Sequence, residues 1–174
     1  AILIGDAGVG KTAVVEGLAQ KIVNQEVPHH MSLMQICTVD LSAMVAGTKY
    51  RGEFEKRFKA LIHEAEKEPY IILFFDEIHT LIGAGNSEGA VDASNMLKPA
   101  LARGKIKCIG ATTSEEYKKF FEKDSAMKRR FDKISIDEPS LQETKKIVMH
   151  TLSYYEDFHG VKFKESDIDL ILHF

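Results

Sequence analysis

Gly5-Asp6-Ala7-Gly8-Val9-Gly10-Lys11-Thr12 fits the pattern G-x-x-x-x-G-K-[ST], and each fixed position has a chemical reason. A chain of phosphates must be wrapped by backbone N–H groups. Side chains therefore have to stay clear at Gly5, Gly8 and Gly10, which also tolerate positive φ, while Asp6, Ala7 and Val9 carry further N–H groups of the wrap. Lys11 brings a cation to the β- and γ-phosphates, and the Thr12 hydroxyl coordinates Mg²⁺. The helix that follows points the positive end of its dipole at the anion. With average composition, a chain of this length matches the pattern by chance on the order of once in a few hundred sequences. The glycine spacing does not fit G-x-G-x-x-G, which disfavours a dinucleotide fold.

A second constellation is Ile71-Ile72-Leu73-Phe74-Phe75-Asp76-Glu77, five apolar residues followed by two carboxylates. The strand end projects Asp76 to the metal side of a phosphate site, where it holds Mg²⁺ through water. Glu77 faces elsewhere and polarises an attacking water. An acidic residue capping a buried strand is common on its own. After a phosphate loop and a second βα unit, the pair implies hydrolysis of the bound nucleotide.

These groups need a frame. Apolar runs alternate with helix-period stretches: strands at 2–4, 36–39, 71–75, 106–111 and 133–136, and helices at 12–23, 53–68 and 91–102, the last helical despite Pro99, which can kink or break it. The run 71–75 is apolar throughout, as a central parallel strand should be. The alternation predicts an α/β fold with a mainly parallel five-stranded sheet between two helical layers. Pro139 marks a boundary, giving a core at 1–139. Two helical patterns, 141–158 and 165 onward, then suggest the start of a small all-helical subdomain at 140–174.

Composition narrows the class. The 174 residues are 44% hydrophobic and 28% charged with a net charge of −3, which excludes a disordered or fibrous chain and argues against a general nucleic-acid coat. No apolar run is long enough to span a bilayer. The chain opens and closes inside apolar patterns and reads as a piece of a longer protein. Cys37 and Cys108 are far apart and read as buried reduced thiols, and the seven histidines show no metal-ligand spacing. The stretch 118–133 has seven basic and three acidic residues, a local excess that suits an anion across an interface or a solvated face.

The phosphate loop, Asp76-Glu77, Gly110-Ala111-Thr112-Thr113 and Arg129-Arg130-Phe131 occur in the order seen in AAA+ ATPases. Three longer stretches, at 46–55, 76–85 and 95–104, resemble the first nucleotide-binding domain of Clp/Hsp100 unfoldases; 54–61 leans toward the ClpA branch, while 96–104 is equally at home in the ClpB and ClpC branches, so the branch stays open. The resemblance covers essentially the whole chain. It implies a P-loop NTPase fold followed by the start of a helical lid, ATP and Mg²⁺ as cofactors, and Thr113, at the end of the fourth strand, as the polar residue that senses the γ-phosphate. Arg129 and Arg130 would be arginine fingers reaching a neighbouring subunit, a device worth roughly 10³–10⁵ in rate. Lys49-Tyr50-Arg51-Gly52 would be a pore loop gripping extended polypeptide, and 83–89 a second one.

The implied whole is a homo-hexamer acting on unfolded protein substrates in the cytoplasm, or in an organelle matrix or stroma. A peptidase partner or adaptor would dock through other regions, and neither membrane nor nucleic acid is expected. Part of the adenine pocket and of the lid would lie outside these residues, so the chain alone is expected to be a poor ATPase. Two rival readings stay open: an ATP-binding assembly module with little hydrolysis, and a nucleic-acid-linked AAA+ motor. Against the latter, no basic stripe with interleaved aromatics appears outside 118–133.

Overall fold

The computed structural model describes residues 1–45, 51–83 and 93–173. Five strands form one sheet: β1 (Ile2–Ile4), β2 (Gln35–Thr38), β3 (Ile71–Phe75), β4 (Lys107–Thr112) and β5 (Lys133–Ser135), in the order β2-β3-β4-β1-β5. Every neighbouring pair is parallel. The α/β expectation of a five-stranded sheet with helices on both faces therefore holds, and among the described residues no strand runs antiparallel.

Parallel strands need crossovers, and the sequence supplies them. After β1 comes α1 (Lys11–Val23). After β2 come α2 (Leu41–Val45) and α3 (Arg51–Lys67), and after β3 come α4 (His79–Gly83) and α5 (Ser94–Ala102). After β4, α6 (Ser114–Glu116) runs into a π turn at Tyr117–Phe121, and α7 (Ser125–Lys128) precedes β5. Strand alternation sorts the core. Ile2, Ile4, Leu73 and Phe75 point to the face covered by Phe54, Phe58 and Ile62 of α3 and Leu97 and Ala100 of α5. Leu3, Phe74 and Ala111 point the other way, toward Val15 of α1. The crossover from β1 runs in the opposite direction along the sheet from the later ones, so the shared right-handedness of such connections places its helix on the opposite face.

The larger core is aromatic at its centre. Phe58 and Phe75 are fully buried, with ring centroids 6.2 Å apart, and Phe54 stacks on Phe58 at 5.7 Å. Each such ring contributes on the order of 1.5–3 kcal/mol by burial, plus a smaller ring-pair term. Helix α5 runs through Pro99 without ending there, so the proline does not break it. Proline removes one backbone donor, but the buried Leu97 and Ala100 on either side hold the helix against the core. Cys108 sits buried in β4, whereas Cys37 is only half-buried because β2 is an edge strand. Burial pushes the Cys108 thiol up to about 12, so it stays protonated and inert.

From Asp137 onward the chain forms a second compact unit of two helices, α8 (Leu141–His159) and α9 (Glu165–His173). Ser140 caps α8 reciprocally with Glu143, and Gly160 ends it in the left-handed region. Lys145 of α8 reaches Glu165 at 2.9 Å and Asp169 at 2.6 Å on α9. No helix among the described residues is long and apolar enough to cross a membrane.

Helix α1 ends in a motif usually built with glycine. Glu26 N–H donates to the Lys21 carbonyl and Gln25 N–H to the Ile22 carbonyl, with Gln25 at φ +60°. A side chain in that region costs on the order of 1–2 kcal/mol. Gln25→Gly is therefore expected to raise stability by about 1 kcal/mol, read as a higher denaturant midpoint at unchanged slope.

Candidate functional site

The carboxyl ends of β1, β3 and β4 lie at one edge of the sheet, because the strands are parallel and in register: Ile4 pairs with Thr112 and Phe75 with Gly110. Gly5, Asp76 and Thr113 follow directly. In an open α/β sheet this is the edge where ligands bind.

The glycines of the first loop answer to different constraints. Gly8 and Gly10 have φ of +85° and +97°, a region that other residues rarely adopt. Gly5 does not; it is required by close approach, since a Cβ there would lie 2.2 Å from the Ile136 carbonyl oxygen. Gly10 is also the N-cap of α1 and supplies no side-chain cap, so no side-chain acceptor of the cap residue occupies the first N–H groups of that helix. Lys11 Nζ donates to the carbonyls of Gly5 at 2.9 Å and Asp6 at 2.8 Å, which holds the ammonium against its own loop. Asp6, Ala7 and Gly8 are exposed, and Val9 is half-buried. The loop thus presents backbone donors and a cation, the equipment for binding an anion.

The two constellations meet. Thr12 Oγ1 donates to Asp76 Oδ2 at 2.9 Å, across 64 residues of chain. Asp76 Oδ1 accepts the Glu77 N–H at 3.0 Å. With its proton given to Asp76, the Thr12 oxygen has lone pairs left over, and a hard cation placed there would find the Asp76 carboxylate beside it. An all-oxygen set of this kind suits Mg²⁺, which dehydrates reluctantly.

Glu77 has φ +50°, an unusual conformation for glutamate. The turn is fixed by Ile78, which is fully buried and donates its N–H to the Ala111 carbonyl at 2.9 Å. Gly110 makes room for it, since a Cβ there would lie 2.7 Å from Ile78 Cδ1. Both carboxylates are exposed.

A family model, "ATPase family associated with various cellular activities (AAA)", matches residues 1–137. The chain belongs to the AAA family. A probable ATP-dependent Clp protease ATP-binding subunit of Chlamydia pneumoniae is 57% identical over 164 residues, covering 94% of this chain and 19% of the relative. The chaperone protein ClpB of Aquifex aeolicus is 53% identical over 168 residues, covering 97% and 17%. A closed-state reconstruction of Hsp104 with ATPγS and casein superposes with a TM-score of 0.84 at 47% identity, covering 95% of this chain and 28% of that one. The chain is thus an AAA domain similar to those of Clp and Hsp104 proteins, and it spans about a fifth of the length of these curated relatives. Identities of 57% to the Clp protease subunit and 53% to ClpB do not separate the branches.

The remaining expected residues of this AAA domain fall in separate places. Strand β4 ends at Thr112, one residue earlier than the position assigned to Thr113, and Thr113 is the N-cap of α6. Its hydroxyl donates to Glu116 Oε2 at 2.7 Å and accepts the Glu116 N–H at 3.2 Å. Arg129 and Arg130 are exposed at the end of α7, between the buried Met127 and Phe131. Among the described residues neither forms an ion pair, and neither touches the phosphate loop. Lys49 and Tyr50 lie outside the described residues, as do 84–89 of the second pore-loop reading. Gly52 stands in the first turn of α3, which begins at Arg51.

Three residues escaped the sequence reading. Glu116 answers Thr113 in a capping box, and the spacing Thr113-x-x-Glu116 was a signal for it. Although burial alone would push the Glu116 carboxyl up, the Thr113 hydroxyl, His79, the Thr113 N–H and Lys11 together hold it below the ordinary glutamate range. His79 bonds to Glu116 from another helix, a pairing that no local pattern announces. Asp124 caps α7 through the Ala126 and Met127 N–H groups, both at 3.1 Å, and pairs with Lys98 of α5 at 2.6 Å. It thereby ties the arginine segment to α5. Burial would raise the Asp124 carboxyl, but Lys98 and the two N–H groups outweigh it and lower it.

A lowered folded pKa stabilises the protein above the unfolded value, here about 3.8, and the benefit is lost as pH falls through the lowered folded value. Asp124→Asn keeps a capping oxygen and removes the titration. The wild type is expected to be more stable than Asp124→Asn at neutral pH, and the gap in denaturation midpoint should shrink between about pH 5 and about pH 2.

Proposed function

We propose that this domain is the ATP-hydrolysing motor of a hexameric Clp/Hsp100 protein unfoldase that threads polypeptide substrates through a central pore. The observation that carries the reading is the Thr12–Asp76 hydrogen bond, which joins the phosphate loop to the acidic strand end in the arrangement that nucleotide hydrolysis needs. Backbone N–H groups from Gly5 to Thr12 wrap the phosphates, and Lys11 neutralises their charge. Thr12 and Asp76, the latter through water, hold Mg²⁺, which when bound withdraws charge from the phosphate oxygens. Glu77 takes a proton from the attacking water. Thr113 reports the γ-phosphate, and Arg129 and Arg130 complete the site of a neighbouring subunit.

The exposure of both arginines, and the absence of any ion pair to either among the described residues, support a role across an interface. The mechanical half of the proposal rests on the family. The similar Hsp104 structure contains casein, a protein substrate. Tyr50, between Lys49 and Arg51 and followed by Gly52, would pack on extended polypeptide of any sequence. The α/β core over 1–139 would carry the chemistry, and 140–174 would begin the helical lid that moves with hydrolysis. The setting would be cytoplasm, or an organelle matrix or stroma, with a peptidase or adaptor engaged through other parts of the full-length protein.

In the full-length protein, Glu77→Gln is expected to keep nucleotide binding while phosphate release falls at least about 10²-fold. Undiminished release would remove Glu77 as the base. Tyr50→Ala is expected to lower the unfolding rate of a tagged substrate far more than it lowers ATP turnover. Equal losses in the two assays would contradict the pore-loop role.

A further inference from the structure

His79 and Glu116 form a hydrogen-bonded bridge between the two halves of the hydrolytic site. His79 opens α4, two residues after Glu77, and its side chain is 13% exposed. Its Nε2 lies 3.1 Å from Glu116 Oε1 and its Nδ1 lies 3.1 Å from Thr112 Oγ1. The other carboxylate oxygen of Glu116 takes the Thr113 hydroxyl at 2.7 Å. Phe120 stacks on the imidazole, with centroids 6.0 Å apart and planes at 16°. Three elements therefore meet in one polar cluster: the turn carrying Glu77, the end of β4, and the helix that Thr113 caps.

The protons of the cluster have a definite order. A carboxylate only accepts, so Nε2 of His79 carries the hydrogen given to Glu116. In a neutral ring Nδ1 then accepts, and the hydroxyl of Thr112, which is 2% exposed, donates to it. The Thr113 hydroxyl has one proton, and Glu116 holds it. A phosphate oxygen is also only an acceptor. Thr113 can donate to a γ-phosphate only by releasing Glu116, so the strength of Glu116's grip sets how readily Thr113 turns to the nucleotide. That grip is anchored by His79, which opens the helix two residues after Glu77.

We propose that His79 and Glu116 are positioning residues that hold the Thr113 hydroxyl and couple its release to the turn bearing Glu77. The inference rests on Thr113 being the residue that meets the γ-phosphate. A test in the full-length protein compares His79→Leu, which removes both bonds, with His79→Gln, whose amide offers one donor and one acceptor, and with Thr113→Ala alone and combined with His79→Leu. Steady-state ATP turnover is measured together with thermal stability. His79→Leu is expected to lower kcat about 10-fold with KM changed by less than about 2-fold, and His79→Gln to restore most of it. Added to Thr113→Ala, His79→Leu is expected to cost nothing further.

The coupling is overturned if His79→Leu leaves kcat unchanged or if His79→Gln is as slow as His79→Leu. It is equally overturned if the two losses multiply in the double variant in step with falling stability. If Thr113→Ala itself turns over normally, the reading of Thr113 fails, and the coupling through it fails as well. If Thr113→Ala is slow and His79→Leu is not, the coupling alone fails. Should His79→Leu not assemble, Glu116→Gln serves in the same cycle. It is expected to change kcat at least about 3-fold in the presence of Thr113 and not in its absence, and an equal change in both backgrounds overturns the coupling.

Discussion

The Thr12–Asp76 hydrogen bond is the constraint that orders the rest of the domain. The two residues stand after β1 and β3, which are not neighbours; β4 runs between them. For the hydroxyl and the carboxylate to meet, both strands must end at the same edge, and the intervening strand must leave room there. Gly110 of β4 does so, because the absence of its side chain lets Ile78 settle on the sheet. Gly5 meets the equivalent demand on the other side, where the Ile136 carbonyl comes too close for any Cβ. Gly5 is fixed by the approach of the chain after β5, and Gly110 by the turn after β3.

A phosphate site needs donors that its own protein has not already consumed. The first turn of α1 meets that need through a cap residue, Gly10, that offers no side-chain acceptor. The acceptors are kept at the rim, where Asp76 takes the Thr12 proton and Glu116 takes that of Thr113. Each threonine is thus oriented by a carboxylate on its far side. Burial pushes the Glu116 carboxyl up, but the Thr113 hydroxyl, His79, the Thr113 N–H and, least of all, the charge on Lys11 bring it below its ordinary range.

What the sequence showed and what it hid divide by the range of the interaction. Strand β3 was legible to the residue because five apolar side chains in a row can only be a fully buried strand or helix segment, and the flanking Pro69 and acidic pair bound it at five. The phosphate loop was legible because its spacing is dictated by a ligand. Helices α2, α4, α6 and α7 were not. At three to five residues each they are too short to show a period, and they exist because of caps and tertiary contacts. Thr113 looked like a strand-end residue since β-branched side chains favour strands, but a reciprocal cap with Glu116 made it the start of a helix. His79–Glu116 and Lys98–Asp124 are pairs between elements, and no local pattern encodes them.

Two residues other than glycine have positive φ, and the comparison between them bears on Glu77. At Gln25 the conformation ends a helix, and any residue that tolerates it would serve; glycine would serve better. At Glu77 the proposed role of the side chain as a base would account for the position. Among the described residues no hydrogen bond reaches its carboxylate, so side-chain partners do not aim it. The backbone does: the Asp76 carboxylate holds the Glu77 N–H, the Glu77 carbonyl takes the Thr80 N–H at 2.9 Å, and buried Ile78 pins the turn to β4. A left-handed residue here costs on the order of 1–3 kcal/mol, which the packing of Ile78 offsets. A carboxylate directed this way keeps both oxygens free for water while its Cα stays fixed, as a base that must act on a mobile nucleophile requires. Strain is concentrated where the proposed chemistry would occur, and Gly110, by leaving room for Ile78, lets the turn that carries Glu77 close against β4.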